Sequence, residues 1–502
     1  MSLHSWMTHR LSSSQHSCGD GCASGRRSGL RSGFRFGRFG RRPAVAAVAV
    51  LLAMATIACS EKSAQTDSSS QTDGSSQTES SEQTGTAVKA RSADVEATST
   101  EAQRCREDLL ACAGESSLAD LLPLGPTDVS GNDELKKPLI VGMMNQESSP
   151  AGSYLVLSGA ARGAVKFINA ELGGIAGRPI DLRVCDSGFS ADQSVSCAQR
   201  LVDQGASVVL GGVDVFGSGI DVLDQNRVPF VGGLPISNAS AVAANSYQWS
   251  GGAWAATVAF AADAVSHGDE RAAIVYPDFG PITDAAQFGR DVLVEGGVDV
   301  ALVPYQITAN DLGPALQSAA SNRPDSVVVL GADTACRSAL KAAYDIDIST
   351  RKYYLGACAA PSVTRQLPRA ATEGVVFNVE GSISATDPDT VLYGAVMAEY
   401  APDVDAIGAA TVAFRSTMNL YRVLRSIDAD ADAEVPGPKE VSAALRASKN
   451  QPSFMGHPFT CDRKQMAGLP AMCSPQQILV KMVGGKLEQM GSWIDVGKIH
   501  SR

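Results

Sequence analysis

Histidine is scarce in this sequence: the 502 residues include 6, and only His267, His457 and His500 follow residue 59. These three are far apart in the chain, and no Cys-x-x-Cys or His-Glu-x-x-His motif occurs. Structural and catalytic zinc sites are usually built from such groupings. A Gly-x-Ser-x-Gly elbow and a P-loop are also missing. These absences argue against a metal site and against an exported hydrolase.

Positive charge is scarce beyond the amino-terminal region. Eight arginines and one acidic residue precede residue 59, which leaves 34 basic and 52 acidic residues and a net charge of −18 in the rest. Nucleic-acid-binding proteins need a basic surface. We therefore expect no nucleic-acid partner.

A long apolar run is missing as well. Residues 43–58 form a run of sixteen small or apolar residues behind an arginine-rich segment, whereas a membrane-spanning helix needs about 20. This arrangement predicts an export signal over residues 1–58. The four residues that end at Cys59 (TIAC) resemble a bacterial lipobox, which implies cleavage before Cys59 and a diacylglyceryl group on its thiol. The alternative is an ordinary cleaved signal with an incidental cysteine.

Residues 59–103 contain little that could form a core. The segment is dominated by Ser, Thr, Gln and acidic residues, and Gln-Thr recurs every six residues from Gln65 to Gln83. Such a composition predicts a disordered tether between a lipid anchor and a folded domain. Two acyl chains give stable attachment to a bilayer, so we expect a protein on the extracytoplasmic face of the cell membrane.

Eight cysteines follow Cys59, and an even number in an exported protein predicts disulfides. Nearest-neighbour pairing is one of 105 connectivities and gives separations of 7, 12, 22 and 12 residues. The first pair lies in a helical pattern, so a bond there requires the helix to break, because two helical turns separate the sulfurs by about 10 Å. The candidates are Cys105, Cys112, Cys185, Cys197, Cys336, Cys358, Cys461 and Cys473.

From residue 138 onward, apolar strands alternate with helical patterns. Residues 139–144 read as a strand, 159–172 as a helix, 180–186 as a strand and 191–205 as a helix, and the rhythm continues to about residue 379. Strands that alternate with helices of 10–15 residues predict an α/β fold with doubly wound parallel sheets. About four such units precede residue 262 and four follow residue 269, so we expect the sheet to be built twice.

Ligands of such folds bind outside the carboxyl ends of the strands. The loops at those ends are therefore the candidate binding elements. They are residues 144–154, 211–219, 232–240, 277–283, 331–336 and 356–362.

The stretch from residue 138 to 212 (PLIVGMMN to VVLGG) resembles the type I periplasmic binding proteins, in the branch that binds branched-chain amino acids for ABC transporters. The likeness extends to about residue 497. It implies two Rossmann-like lobes joined by a three-crossing hinge, the periplasmic binding protein-like I fold. The implied first lobe covers 138–262 and 381–450, the second covers 265–378 and 454–497, and a small cysteine-containing segment at 104–137 precedes them.

The resemblance also implies ligand contacts. In the first lobe, backbone N–H groups and hydroxyls bind a carboxylate after two strands, which here points to Ser218 and Ser237 beside Phe216 and Ile236, with Tyr154 as a capping ring. In the second lobe it points to Phe279 and Asp333. The same residues fit structural roles as well: Ser218 as a helix start, Phe279 as a core residue and Asp333 as a helix cap.

One departure from the family concerns the group that accepts a ligand's ammonium. The family has an acidic residue near position 357, where this chain has Ala357 and Cys358. Asp214 or Asp333 is an alternative counter-charge for an ammonium. The expected ligand is therefore left open among amino acids, amides, small organic acids and other apolar solutes.

The resemblance implies a monomeric, non-enzymatic solute receptor without a cofactor, which delivers a small molecule to an ABC permease in the membrane. A lipid-anchored sensor that signals to a membrane partner would use the same cleft. The two differ in the partner, which the sequence does not specify.

Overall fold

The computed structural model describes residues 100–122, 136–149, 152–332, 334–427 and 435–500. All of these belong to one compact unit. The predicted signal, Cys59, most of the predicted tether and Asp333 lie outside the described residues.

The first described segment contains two short helices with a break between them. Residues 100–107 are helical and belong to α1, and α2 (Leu109–Glu115) begins after Asp108, whose backbone is non-helical and whose carboxylate accepts the N–H of Ala111. The break brings the α-carbons of Cys105 and Cys112 to 5.4 Å, and the two form a disulfide. Residues 100–103, at the end of the predicted tether, are helical.

The smaller sheet is entirely parallel, with the order β2-β1-β3-β4-β5. It forms the first lobe. Its strands are β1 (Leu139–Asn145), β2 (Ile180–Asp186), β3 (Val208–Gly211), β4 (Phe230–Val231) and β5 (Ser246–Tyr247).

The larger sheet forms the second lobe, with the order β14-β13-β10-β9-β8-β6-β7. Five strands are parallel, and β13 and β14 add an antiparallel edge that the sequence rhythm did not predict. The strands are β6 (Arg271–Pro277), β7 (Asp299–Tyr305), β8 (Ser326–Val329), β9 (Arg351–Tyr354), β10 (Val376–Val379), β13 (Ile478–Val483) and β14 (Lys486–Gln489).

Both sheets are covered on both faces. Along β1, Val141 and Met143 enter one core while Met144 enters another. Along β6, Ile274 and Val275 likewise enter opposite cores. This alternation is what strands buried on both faces require. The prediction of an α/β fold made of two doubly wound lobes is therefore confirmed.

Helices of the first lobe come from two parts of the chain. They are α3 (Leu155–Ala170), α4 (Ala191–Asp203), α5 (Ser218–Gln225), α6 (Asn238–Val242), α13 (Pro388–Tyr400), α14 (Ala409–Arg425) and α15 (Pro438–Ala447). The small amino-terminal segment, which includes the 3-10 turn η1 (Ala119–Leu121), packs here because Arg422 of α14 pairs with Asp120. Asp389 of α13 accepts the N–H of Ser117.

The second lobe contains the other helices of the described residues. They are α7 (Gly252–Ser266), α8 (Gly280–Glu295), α9 (Gly313–Ser321), α10 (Thr334–Asp345), the 3-10 turn η2 (Gly356–Ala359), α11 (Pro361–Thr364), α12 (Arg369–Thr372) and α16 (Val496–Ile499). None of the helices in the described ranges is long and apolar enough to cross a bilayer.

Two lobe boundaries differ from those expected. Helix α7 packs with the second lobe through Trp254 and Phe260, so the first lobe ends near residue 247 rather than 262. The hairpin of β11 (Gln451–Ser453) and β12 (Gly456–Phe459) contributes Phe454 and Phe459 to the first lobe rather than to the second.

The chain crosses between the lobes three times. The crossings follow β5, β10 and β12, and two of them pair with each other: Gln248 accepts the N–H of Cys473 (2.7 Å) and donates its own to Ala471 (2.8 Å). A disulfide joins Cys461 to Cys473, and between them Met466 and Leu469 pack into the second lobe.

Candidate functional site

The lobes meet through aromatic rings at the carboxyl ends of their strands. Phe279, the residue before α8 in the second lobe, packs against the core of the first lobe. Its ring centroid lies 5.9 Å from that of Phe216 and 6.0 Å from that of Phe189, and those two are 5.1 Å apart. Phe216 is 38% exposed, so this cluster borders solvent. We call Phe189, Phe216 and Phe279 the interlobe rings.

Sequence reasoning missed Phe189. It lies in residues 186–190, which follow β2 and were not among the six candidate loops. A disulfide joins Cys185 at the end of β2 to Cys197 in α4, and it flanks this loop on both sides. The rule that placed the other loops, a position after a parallel strand, would also have indicated this one.

Two glycine pairs bring the first-lobe loops close together. A Cβ at Gly211 would lie 2.5 Å from the carbonyl oxygen of Gly232, and one at Gly233 would lie 2.4 Å from the carbonyl oxygen of Gly211. Gly217 has φ of +70°, and a Cβ there would lie 2.5 Å from Oγ of Ser237. The backbones approach so closely that only glycine fits at these positions.

Ser218 and Ser237 both lie at helix starts. Ser218 is the first residue of α5, as the alternative interpretation expected. Ser237 is 1% exposed, and its hydroxyl accepts the N–H of Ser240 at the start of α6. Ile236, the neighbour of Ser237, packs against the cores of both lobes.

Backbone N–H groups in these loops already have protein acceptors. Gly212 donates to the carbonyl of Met144 (2.8 Å), and Val213 donates to Oδ1 of Asn145 (3.1 Å). Gly233 donates to Oγ of Ser416 (3.2 Å), and Leu234 donates to the carbonyl of Gly212 (3.0 Å). The resemblance implies that N–H groups of this region bind a ligand carboxylate. These four N–H groups already bond to protein oxygens.

Two carboxylates in the first-lobe loops have pKa values that are shifted in opposite directions. Burial opposes ionisation of Asp186, but the hydroxyl of Ser148 and the amides of Glu147, Gly188 and Ser148 outweigh it and hold the pKa of Asp186 below its ordinary value. Burial raises the pKa of Asp214, although Ser194 donates a hydrogen bond of 2.6 Å to it. Gly217 donates its N–H to the other oxygen of Asp214 (3.3 Å), so this expected counter-charge already has donors within the first lobe.

The second-lobe loops are cross-linked by a disulfide between Cys336 of α10 and Cys358 of η2. Cys358 is fully buried, so a structural cysteine lies beside position 357, near which the resemblance implies an acidic residue. Asp333, the other expected counter-charge, lies outside the described residues.

Tyr154 immediately precedes α3 and packs against the first-lobe core. Burial and, to a lesser degree, the neighbouring Tyr154 raise the pKa of Tyr305, which belongs to the second lobe. The Tyr305 hydroxyl donates to the carbonyl of Leu330 (2.7 Å), just before the loop at 331–336. Tyr154 of the first lobe and Tyr305 of the second thus mark a second place where the two lobes lie close together.

Glu380 lies where the three crossings come together. Its Oε1 accepts from the hydroxyl of Ser250 (2.9 Å), the amide of Gly251 (3.0 Å) and Nε2 of Gln477 (2.9 Å). Its Oε2 accepts from Nη2 of Arg415 (2.8 Å), and both side chains of this pair are at least nine-tenths buried. One carboxylate therefore contacts all three crossings, while its cation belongs to the first lobe.

This hydrogen-bond network extends to a cleft loop. Gln477 accepts from Nδ2 of Asn378 (2.8 Å), and Oδ1 of Asn378 accepts the N–H of Gly356 (2.9 Å). The loop at 356–362 is thus connected to Glu380 through side-chain amides. No cluster of metal-ligating side chains occurs among the described residues.

The fold and this cleft define a class of protein. Residues 138–471 match the family model described as periplasmic binding protein, and the chain belongs to that family. Its architecture is that of the Leu/Ile/Val-binding-protein-like type I members, whose family is extracytoplasmic and binds solutes. No curated protein sequence matches the chain.

Solved structures share the fold at low identity. A possible leucine/isoleucine/valine-binding protein from Rhodopirellula baltica superposes with a TM-score of 0.62 at 15% identity, covering 72% of this chain and 98% of that one. A solute-binding protein from R. palustris in complex with 4-hydroxybenzoate gives 0.58 at 17%, covering 71% and 97%. The branched-chain amino-acid binding protein LivJ from Streptococcus pneumoniae, in complex with isoleucine, gives 0.57 at 17%, covering 70% and 98%.

Proposed function

We propose that this chain is a non-enzymatic solute receptor, anchored to the extracytoplasmic face of the membrane through Cys59, that captures a small organic molecule between its lobes and delivers it to an ABC permease. The observation that carries the proposal is the contact of Phe279 with Phe189 and Phe216, because it joins the lobes at the carboxyl ends of their strands. The proposed ligand contacts are Tyr154, the interlobe rings, Ile236 and the loops that contain Ser218 and Ser237. We retain Asp333 as a proposed contact.

The mechanism follows from the hinge. A ligand shifts a protein toward the closed state only by interacting more favourably with that state. A molecule held between the first-lobe loops and Phe279 would contact both lobes only when they are together. Periplasmic binding proteins in general close around their ligands by such a hinge motion. The three crossings meet at Glu380, and we propose that the lobes rotate about this point.

Ligand-dependent closure is the first test. We expect a library of amino acids, amides and small organic acids to contain a compound that raises the melting temperature, because a ligand at 100 times its Kd adds about 2.7 kcal/mol to the free energy of unfolding. Small-angle scattering should then show a smaller radius of gyration with that compound. Phe279→Ala should weaken binding, whereas Phe288→Ala, at a ring that stacks on His500 in the same lobe, should not.

If no compound of any class stabilises the protein or changes its scattering, the receptor proposal fails. The anchor has its own test. Radioactive palmitate should label the wild-type protein in cells and should not label Cys59→Ala. Equal labelling of the variant would exclude Cys59 as the lipidation site.

A further inference from the structure

One disulfide-closed loop contacts both lobes beside the hinge. Cys461 and Cys473 are joined at an α-carbon distance of 4.5 Å, and both are buried in the first-lobe core. Met466 and Leu469, which lie between them, are buried in the second-lobe core. The chain therefore leaves the first lobe after Cys461, packs into the second lobe and returns to the first at Cys473. We call residues 461–473 the clasp.

The clasp also holds the carboxyl end of α6 in the first lobe. The last carbonyls of a helix have no partners within the helix and need donors from elsewhere. In α6 the carbonyl of Ala241 accepts the N–H of Ala471 (2.9 Å), and the carbonyl of Val242 accepts Nη2 of Arg463 (3.0 Å). Two consecutive carbonyls at this helix end thus have donors from the clasp.

The guanidinium of Arg463 also bonds to the chain that follows α6. Nη2 donates to the carbonyl of Ala243 (3.1 Å), and Nη1 donates to the carbonyls of Ala244 (3.1 Å) and Ser246 (3.5 Å). The backbone of Arg463 has a φ of +65°, in the left-handed region that few residues other than glycine adopt. Such a conformation persists only where its surroundings stabilise it, and the hydrogen bonds of the side chain provide that stabilisation.

The other end of α6 belongs to the cleft. Ser237, the residue before the helix, lies in the loop at 232–240, and its hydroxyl accepts the N–H of Ser240. Ile236 of the same loop packs against the cores of both lobes. Because α6 has five residues, its two ends are only about 7 Å apart. A displacement at the carboxyl end of so short a helix would therefore move the cleft loop as well.

From these contacts we infer that the clasp fixes the cleft loop at 232–240 relative to the second lobe, and that Arg463 is a positioning residue for solute binding although it lies outside the cleft loops. Met466 and Leu469 attach the clasp to the second lobe, and Arg463 and Ala471 attach it to α6. The effect on binding rests on the proposed receptor function, whereas the attachment of α6 is measurable in the chain without a solute.

Hydrogen–deuterium exchange on the full chain without added solute tests the attachment. In Arg463→Met we expect the amides of residues 238–247 to exchange at least about 10-fold faster, because hydrogen bonds to a charged group are stronger than neutral ones. Amides of β1 and β6 should keep their wild-type rates. The control is Arg290→Met, which removes a guanidinium that pairs with Asp291 of α8 and should leave residues 238–247 unchanged. Unchanged rates at 238–247 in Arg463→Met, or an equal acceleration in β1 and β6, would overturn the inference.

Binding measurements test the consequence for the solute. The library of amino acids, amides and small organic acids identifies a compound that stabilises the wild type, and calorimetry then compares its affinity among variants. We expect an affinity about 3- to 30-fold weaker in Arg463→Met, the range over which changes outside a site alter coupling, and no loss in Arg290→Met. Arg463→Lys should give an intermediate loss, because lysine keeps the charge but not the planar fork of donors.

The two failures are distinguishable. Equal affinity in the wild type and in Arg463→Met overturns the positioning role of Arg463 and leaves the receptor function intact. If no compound in the library stabilises the wild type, the receptor function fails, and the exchange rates at residues 238–247 alone decide whether the clasp holds the cleft loop.

Discussion

Replacing Glu380 by alanine should destabilise the protein more than most single substitutions. The change removes the acceptor for Ser250, Gly251 and Gln477 and leaves the guanidinium of Arg415 buried without its carboxylate. Loss of one partner of a buried ion pair typically costs about 3–5 kcal/mol, because the remaining charge stays desolvated. We therefore expect Glu380→Ala to lower the free energy of unfolding by about 3–5 kcal/mol in urea titrations followed by circular dichroism.

A double-mutant cycle separates the pair from its surroundings. Arg415→Met should also destabilise, because it leaves a buried carboxylate, whereas the double variant should lose clearly less than the sum of the two single changes. The control is Asp345→Ala, which removes an exposed pair with Lys341 whose side chains are 63% and 47% exposed. Exposed pairs contribute up to about 1 kcal/mol.

Two results would refute this reasoning. One is a loss below about 1 kcal/mol for Glu380→Ala, which would mean that water or another group replaces the carboxylate. The other is simple additivity in the cycle, which would show that Glu380 and Arg415 are energetically independent despite their contact. Either result would remove the argument that one buried pair holds the three crossings together.

Two further predictions concern the loops. Replacing Cys336 and Cys358 by serine should lower the free energy of unfolding by about 3 kcal/mol, as expected for the 22-residue separation. Calorimetry should also show weaker ligand binding. The same change at Cys105 and Cys112, which lie outside the cleft loops, should leave the affinity unchanged. Asp186→Asn should destabilise the protein at pH 7, and the gap from wild type in urea titrations should shrink at pH 3. The pKa of Asp186 is lowered in the folded state, so its stabilisation is present above the unfolded-state pKa and is lost as pH falls toward the folded-state pKa; a gap that is constant with pH would contradict this.

Local patterns predicted most elements because strands and helices leave distinct periods in the sequence. The strand expected at 180–186 is β2 (Ile180–Asp186), and the helix expected from Ser218 is α5. The spacing of Cys105 and Cys112 implied that a disulfide would need a broken helix, and the break occurs at Asp108.

The assignment of elements to lobes was harder to predict. Helix α7 is apolar around most of its circumference, with Trp254, Val258 and Phe260 all buried. Such a helix carries no stripe that indicates which sheet it covers. The hairpin of β11 and β12 lies beside a crossing. Its composition does not indicate which of the two lobes buries Phe454 and Phe459.

The sequence predicted where the site lies but not which of its backbone N–H groups are already hydrogen-bonded. The rule about strand ends located Phe216 and Phe279, which the structure brings to 5.9 Å from each other. It could not reveal that the amides of Gly212 and Gly233 already have acceptors, because Met144 and Ser416 come from distant parts of the chain. Hydrogen bonds of that range depend on tertiary packing and leave no local pattern.

Phe279 belongs to the second lobe and packs against the first-lobe core. The same ring would therefore contribute both to holding the lobes together and to holding a solute. A change in its size would alter the opening of the cleft and the affinity at once, so release and selectivity are coupled at this one position.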